Sequence, residues 1–311
     1  MIKTSIFLSF FCLFSLSAGW GKIKTIRESL RKSDFKKSWV ISDEKSDINR
    51  LLFLLEKTVS GRAIVKKSRL KAKERGHKLT DLIHRGDKSL TDTTLVRRFN
   101  AQTPNIVRYE NRSIVYINDQ LNLKDALLDL AHELTHFSMR EAFNPYRDNF
   151  SLGDFIKSTV EGRGGEVEAY LTECQVFYEL FRKFEGVNDK CQLVVAERSG
   201  HLSLKEGKKQ FYKLGAFYDK FKEHIRKHDI KTQEFHEMSS DEALFISSAY
   251  GLPYPLAAVL EYESIMSRVC QNDEKRLRYV ASQRKPASLG AYDLKLHKHR
   301  KRCAKFTRSS I

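Results

Sequence analysis

Two histidines and a glutamate in the segment AHELTHF, residues 131–137, have the spacing of a metal site. His132 and His136 are four residues apart, so on a helix both side chains project from one face and can bind one ion. Glu133 follows the first histidine and is displaced around the helix toward a water on that ion. Zinc acidifies water and polarises a carbonyl, so the spacing predicts a Zn2+-dependent hydrolase with Glu133 as general base.

The alternative interpretation is a polar patch on an ordinary helix. The surrounding segment is strongly apolar, and its apolar positions follow helical spacing: Leu123, Leu127, Leu130, Leu134 and Phe137. Such a helix would be almost wholly buried, and each buried polar group without a partner costs about 1–3 kcal/mol. A bound metal removes this cost, so the composition of the helix favours the metal site.

A zinc hydrolase needs a third protein ligand, and helical phase in a second helix helps to select it. The segment EVEAYLTECQVFYELF, residues 166–181, contains a mainly apolar stripe: Glu166, Tyr170, Glu173, Phe177 and Phe181. It also contains a polar stripe that should face water: Glu168, Thr172, Gln175 and Glu179. A carboxylate on the buried face needs a partner, so Glu166 is the predicted ligand and Glu173 the reserve ligand. Glu161 precedes the glycines and is expected in a loop.

The motif is expected on a long helix that follows a strand. Asn122 is a favourable N-cap for this helix, and the dipeptide at 144–145, Asn-Pro, should end it. Upstream, β-forming residues at 114–117 flanked by polar turn residues predict one short strand over residues 113–118.

The two helical segments together resemble a known family. HELTH at 132–136, followed by EVEAY at 166–170, is similar to the gluzincin group of zinc metallopeptidases over about residues 110–185. The pattern is closest to bacterial gluzincins whose second helix carries E-x-x-A-D, with its first Glu as a zinc ligand. The resemblance implies a zincin-like core and hydrolysis of peptide bonds within a peptide or protein substrate.

The chain departs from that pattern at Tyr170, where the family has an Asp that orients a ligand histidine. Glu173 or Asp129 is the candidate to take over this orienting role. The resemblance also implies that the strand at 113–118 is the sheet edge beside the cleft, where it could pair with an extended peptide.

The fold class expected from these patterns is α+β and predominantly helical. A small sheet, the active-site helix and the second, glutamate-bearing helix would form its zincin-like core. We expect four regions along the chain: a signal peptide (1–18), a basic N-terminal helical region (19–105), the catalytic core (106–190) and a helical C-terminal region with a basic tail (191–311).

The donor for the oxyanion of a tetrahedral intermediate stays open at this stage. The candidates are Tyr146, His201, His236, Tyr250 and Tyr254. The stretch AYGLPYP, which contains the last two, is read as a surface turn in preference to a cleft loop. His224 and His228 are also four apart, but their segment KEHIRKHD is strongly charged and lacks the glutamate, so we expect them on a solvated face.

The N-terminal segment has the build of a secretory signal peptide: one lysine, an apolar stretch at 6–16, then small residues. Its removal leaves four cysteines, an even number, in an exported protein. The pairing with the shortest loops, Cys174 with Cys191 and Cys270 with Cys303, is preferred, and buried free thiols are the alternative. The expected location is secreted or periplasmic.

The formal charge of +17 predicts attraction to polyanions. The densest basic run, HKHRKRCAK at 297–305, could bind an acidic envelope polymer or an anionic membrane surface. No specific nucleic-acid partner is predicted. The alternative to a peptidase is a catalytically degenerate zincin that acts as a polyanion- or envelope-binding protein. Retention of Glu133 favours the enzyme, since a chain that has abandoned hydrolysis has no need of that residue.

Overall fold

Helices dominate the fold, and a small mixed sheet packs against them. The computed structural model describes residues 33–140, 143–181, 190–230, 235, 238–283 and 289–306, all within the unit Lys32–Ile311. The helices of these ranges are α1 (Glu44–Leu55), α2 (Val59–Glu74), α3 (Leu123–Met139), α4 (Leu152–Val160), α5 (Glu166–Phe181), α6 (Leu204–Phe211), α7 (Tyr218–Lys227), α8 (Tyr254–Ser282) and α9 (Leu289–Cys303). The strands are β1 (Ile83–Gly86), β2 (Leu90–Phe99), β3 (Val107–Asn118), β4 (Ile246–Ser247) and β5 (Leu252–Pro253). The predicted fold class, predominantly helical α+β, is confirmed.

Helix α3 lies at the centre of this arrangement and carries the histidine motif. It begins where the sequence predicts, because the Asn122 side chain caps it and accepts a hydrogen bond from the Asp125 N–H at 3.0 Å. It ends at Met139, one turn before the predicted stop at 144–145. Helices α1, α2 and α5 and strands β2 and β3 all pack on α3, so its apolar residues form the middle of the core.

The sheet is larger than the sequence predicts. Its strand order is β1-β3-β2, with β1 parallel and β2 antiparallel to β3. Strand β3 begins at residue 107 rather than 113, and neither β1 nor β2 was predicted. Upstream of β1, the chain makes one 3-10 turn at Leu79–Asp81 and then enters the strand. The sheet therefore joins strands from both sides of the expected boundary at residues 105–106.

The predicted role of residues 113–118 as a sheet edge is wrong. These residues belong to β3, which pairs with β1 on one side and β2 on the other, so its main-chain groups are already used. Strand β2 is the edge strand on the side of the histidine motif. The sequence pattern could identify a strand but could not tell which neighbours it pairs with.

Helix α5 has the two faces that its sequence predicts. Glu166, Phe177 and Phe181 are buried, whereas Gln175 and Glu179 are exposed. The polar face also has a structural role, because the Glu179 carboxylate accepts hydrogen bonds from the first turn of α2. A glycine commonly ends a helix, so the sequence predicts that this helix ends at Gly186, a position outside the described residues.

Both predicted disulfides are present. Cys174 of α5 is bonded to Cys191, and Cys270 of α8 is bonded to Cys303 of α9. Two structural disulfides indicate an oxidising, extracellular type of compartment. The expected signal peptide, residues 1–18, lies outside the described residues. Within the described part of the chain, no helix has the length and apolar character needed to cross a bilayer.

Candidate metal centre

Helices α3 and α5 bring two imidazoles and one carboxylate together in the core. His132 Nε2 lies 3.2 Å and His136 Nε2 3.3 Å from the same oxygen, Glu166 Oε2. All three ligand atoms of this group lie within 4.8 Å of one another, and the three side chains are buried. The group could hold a metal ion.

The two separations that involve Glu166 fit metal ligation. Two ligand atoms bound at about 2.0–2.1 Å in tetrahedral geometry are about 3.3–3.4 Å apart, close to the distances from Glu166 to each histidine. Imidazole nitrogen and carboxylate oxygen are also suitable donors for a divalent transition-metal ion. Three protein ligands on a tetrahedral ion would leave one position for water or a substrate.

A hydrogen bond at Nδ1 fixes the orientation of each histidine ring. His132 Nδ1 lies 3.2 Å from Glu173 Oε2, and His136 Nδ1 donates to the carbonyl oxygen of Gly164 at 2.8 Å. Both Nε2 atoms are therefore directed toward Glu166. Gly164 has a φ of 66°, and a Cβ at this position would lie 2.4 Å from the Arg140 backbone nitrogen, so only glycine fits this close approach.

The three residues named for orienting or reserve roles occupy different places. Glu173 lies behind His132, on the side away from Glu166, in the position of an orienting group rather than a ligand. Asp129 is hydrogen-bonded to Ser89. The ring of Tyr170 packs 4.8 Å from that of Phe245, in an aromatic cluster that includes Phe211.

Burial and ion pairing shift the pKa values of His132 and Glu166 in opposite directions. Burial lowers the pKa of His132, but its hydrogen bonds with Glu166 and Glu173 outweigh burial and raise that pKa well above its usual value. Burial raises the pKa of Glu166, but the two histidines and then Arg140 hold it well below its usual value. Burial, Glu173 and Glu133 raise the pKa of Asp129 to about 6. The cluster therefore favours a bound positive charge, which a proton or a metal cation can supply.

Arg140 was not among the predicted site residues. It binds the second carboxylate oxygen of Glu166, the one that does not face the histidines. Its Nη2 donates to Glu166 Oε1 at 3.0 Å, and its Nε donates to the Gly164 carbonyl at 3.3 Å. Oε2 is left to face the histidines. The available signal was a basic residue directly after a buried helix that carries the motif.

Glu133 lies beside the cluster and not in it. Its Oε2 accepts a hydrogen bond from Thr91 Oγ1 of β2 at 2.7 Å. The side chain is 7% exposed, and that small exposed part opens into the cleft described below. Thr91 was missed because β2 was not predicted, although the β-branched residues of TDTTLV, residues 91–96, were a signal for a strand.

A cleft of about 740 Å³ passes over this centre. Residues 87–97, most of them in β2, form one wall, and the opposite wall includes one face of α8: Tyr254, Glu261, Ile265, Arg268, Val269 and Asn272. At one end Arg97 connects the two walls, because its guanidinium donates hydrogen bonds to Asn272 Oδ1 and Asp273 Oδ1. The guanidinium also lies over the Tyr146 ring, 3.8 Å from the ring centroid. At the other end the exposed Lys88 Nζ donates to the Ala249 carbonyl at 3.3 Å.

Comparison with protein-family models, with curated proteins and with solved structures gave no match. A function for this chain therefore follows from the arrangement of its own side chains.

The candidate oxyanion donors differ in whether they line the cleft. Tyr146, Tyr250 and Tyr254 line the cleft, whereas His201 is exposed and is not among the lining residues. His236 lies outside the described residues. The stretch AYGLPYP does contain an exposed turn, at 248–251 between β4 and β5, and the same turn borders the cleft.

The prediction of a solvated face for His224 and His228 is also wrong. The His228 side chain is 7% exposed, and its Nε2 lies 3.3 Å from Glu263 of α8. Its ring also packs 5.9 Å from that of Tyr262. Both histidines lie on the side of α7 that faces α8, a contact that the charged local sequence does not reveal.

We predict that the group of His132, His136 and Glu166 binds a divalent metal ion, with Zn2+ as the probe. The variants His136→Ala and Glu166→Gln should each raise the dissociation constant at least about 100-fold, because a ligand is lost. Glu173→Gln should raise it about 10-fold, because an imidazole loses its orienting partner.

Competition with a chromophoric chelator measures these constants directly. His201→Asn is the matched control, because this histidine is exposed and outside the cleft. Equal zinc affinity in the wild type and in Glu166→Gln would rule out this ligand set.

Proposed function

We propose that the protein is a zinc-dependent endopeptidase of the gluzincin type, exported from the cell. The observation that carries the proposal is the buried group of His132, His136 and Glu166, with Glu133 beside it, at the floor of a long cleft. A purely structural zinc site would need a fourth protein ligand, and the described residues supply three in this group.

Two imidazoles and one carboxylate are the ligands of many hydrolytic zinc sites, so zinc is the proposed metal. When bound, zinc would supply a Lewis acid that polarises a peptide carbonyl and acidifies water. The three ligands are preorganised for this ion, because Glu173, Arg140 and the Gly164 carbonyl fix their orientation.

Glu133 is the proposed general base. Thr91 holds one carboxylate oxygen, Oε2, so the side chain has a defined position beside the cluster. The other oxygen can take a proton from water during attack and pass it to the leaving amine. The role assigned to Glu133 in the sequence is thus compatible with its place between β2 and the ligands.

The shape of the cleft supports an extended substrate. Strand β2 runs along one wall as an edge strand, and its free main-chain groups could pair with a peptide. In this proposal β2, and not the strand at 113–118, pairs with the extended peptide. The cleft runs along residues 90–97 of β2, a length of extended strand that suits binding and cleavage within a chain.

Tyr254 is the proposed oxyanion donor. Burial raises the pKa of its phenol well above the usual value, and the nearby carboxylates of Glu166 and Glu173 add to the shift. A phenol that stays protonated can donate a hydrogen bond to a developing negative charge. Tyr254 opens α8 on the cleft wall, and the negative charges of the metal group act on it.

We expect Glu133→Gln to abolish cleavage while zinc stays bound. The change removes the base but preserves shape, so kcat should fall about 1,000-fold or more at unchanged zinc content. Zinc analysis combined with cleavage of a peptide library by both proteins provides the measurement. Stoichiometric zinc with equal cleavage, or with none, in both forms would argue against the peptidase mechanism and favour a degenerate zincin.

Tyr254→Phe should lower kcat about 100-fold with little change in KM, because the hydroxyl acts on charge that appears only in the transition state. Tyr250→Phe is the matched control on the same wall, and its kcat should stay within about threefold of the wild type. Steady-state kinetics on one cleaved peptide decides the point. A similar kcat for wild type and Tyr254→Phe would remove Tyr254 from the mechanism.

The basic tail is proposed to hold the exported enzyme on an acidic envelope polymer or an anionic membrane surface. The lysines and arginines at positions 295, 298, 300 and 301 of α9 are exposed, and the Cys270–Cys303 disulfide attaches this helix to α8. We expect deletion of residues 274–311 to abolish sedimentation with vesicles of anionic lipid and retention on an acidic polysaccharide at low salt. Equal retention of both forms would refute an anchoring role.

A further inference from the structure

The two walls of the cleft meet at the Arg97 end. Arg97 Nε of β2 donates to Asn272 Oδ1 of α8 at 2.9 Å, and Arg97 Nη2 forms an ion pair with Asp273 at 2.5 Å. The Tyr146 ring lies over the guanidinium, and the Tyr109 ring lies 6.0 Å from that of Tyr146. The Arg97 side chain is 5% exposed, so these groups fill the space between β2 and α8.

Beyond Arg97, strand β2 and the turn after it stay in contact with α8. Three further contacts join them: Arg276 Nε with the Pro104 carbonyl oxygen at 2.7 Å, the Tyr279 ring with the Phe99 ring at 6.2 Å, and Gln283 Nε2 with the Ala101 carbonyl oxygen. Together with the Arg97 contacts they form a continuous line, which we call the seam. The seam closes the gap between the walls, so a peptide that lies along β2 reaches its limit at Arg97.

The opposite end of the cleft is open by comparison. Lys88 Nζ donates to the Ala249 carbonyl at 3.3 Å, and both residues are exposed, as is the turn at 248–251. An exposed hydrogen bond is readily exchanged for bonds to water. The cleft therefore has one closed end, at Arg97, and one end through which a chain can leave.

The position of the metal group along β2 sets the length of the closed part. Thr91 Oγ1 donates to Glu133 Oε2 at 2.7 Å, so the proposed base lies beside residue 91 of β2. A strand advances about 3.3–3.4 Å per residue, so Thr91 and Arg97 are about six residues and roughly 20 Å apart along β2. A peptide paired with the edge of β2 would therefore have about six residues between its scissile bond and the seam.

We propose that the seam is a stop for the substrate, and that the cleft holds at most about six residues on the Arg97 side of the scissile bond. This inference rests on the proposed use of the cleft for peptides. It names the class of substrate: a chain with a free end that is inserted as far as the seam, and from which a short oligopeptide is released. Antiparallel pairing, the more frequent arrangement of neighbouring strands, would place the amino end of the peptide at the seam.

Peptides lengthened on one side at a time test the stop. A peptide that the wild type cleaves is extended by single Gly or Ser residues on the amino side or on the carboxyl side of the scissile bond, and mass spectrometry identifies the products. We expect kcat/KM to fall about 10-fold or more once the side that meets the seam exceeds about six residues, because the added residues clash with it. Extension of the other side should change kcat/KM less than about threefold.

Arg97→Ala removes the guanidinium that fills the closed end, so it should relax the limit. Long and short peptides should then be cleaved with kcat/KM values within about threefold of each other. Arg98→Ala is the matched control, because Arg98 is the next residue of β2 and its exposed side chain, on the other face of the sheet, pairs with Glu110 at 3.1 Å. It should leave the limit unchanged. Circular dichroism and thermal unfolding check that both variants are folded.

A binding measurement tests the stop without cleavage and without a change at Arg97. The protein carries Glu133→Gln with zinc bound, and a fluorescent peptide of about 10 residues carries a biotin–streptavidin adduct at its amino end or at its carboxyl end. An adduct at the end that meets the seam should lower the affinity about 10-fold or more, because streptavidin cannot enter the closed part of the cleft. An adduct at the other end should leave the affinity unchanged.

Three results of the cleavage experiment would overturn the stop: a kcat/KM that is independent of length on both sides, a limit on both sides, or the same limit in the wild type and in folded Arg97→Ala. Each of them leaves the peptidase intact, because the peptides are cleaved. Equal affinity for both adducts would overturn the stop as well. Affinity that depends on which end carries the adduct, in a protein that cleaves nothing, would support the stop and count against the peptidase.

Discussion

The constraint on which this structure depends is the burial of an ionised carboxylate, Glu166, between two helices. A buried charge is costly unless several partners compensate it. Here His132 and His136 face one oxygen and Arg140 holds the other. Helices α3 and α5 must therefore keep a fixed spacing, and the glycine turn before α5 allows it by bringing its backbone against the end of α3. The same arrangement that satisfies the carboxylate also collects three metal-ligand atoms, so the stability of this region and its capacity for a metal have one origin.

Local periodicity was sufficient to predict much of this centre. The spacing of His132 and His136 on one helix, and the buried phase of Glu166 on another, depend on neighbours three or four residues apart, which a sequence displays directly. The cap at Asn122 is equally local, and both disulfides follow from the shortest loops. The fold class could be predicted for the same reason, because most of the chain is helix.

What the sequence could not supply was information about distant partners. The position of β3 in the middle of the sheet depends on pairing with β1 and β2, and strand pairing is not encoded in the local pattern of any one strand. Thr91 and Arg140 could not be placed until β2 and the glycine turn had been located. His228 looked solvated because α7 is highly charged, but burial depends on which helix covers a face, and α8 covers this one.

The two ends of the cleft are joined very differently, and this has a consequence for how a long chain could enter. Arg97 is buried and connects β2 to α8 through charged hydrogen bonds and a tyrosine ring, whereas Lys88 makes a single exposed bond across the opposite end. A single exposed hydrogen bond contributes little free energy, so the Lys88 end would open at lower cost than the Arg97 end. If the cleft takes a polypeptide as proposed, an extended chain would enter sideways from the Lys88 end and would not need to thread between joined walls.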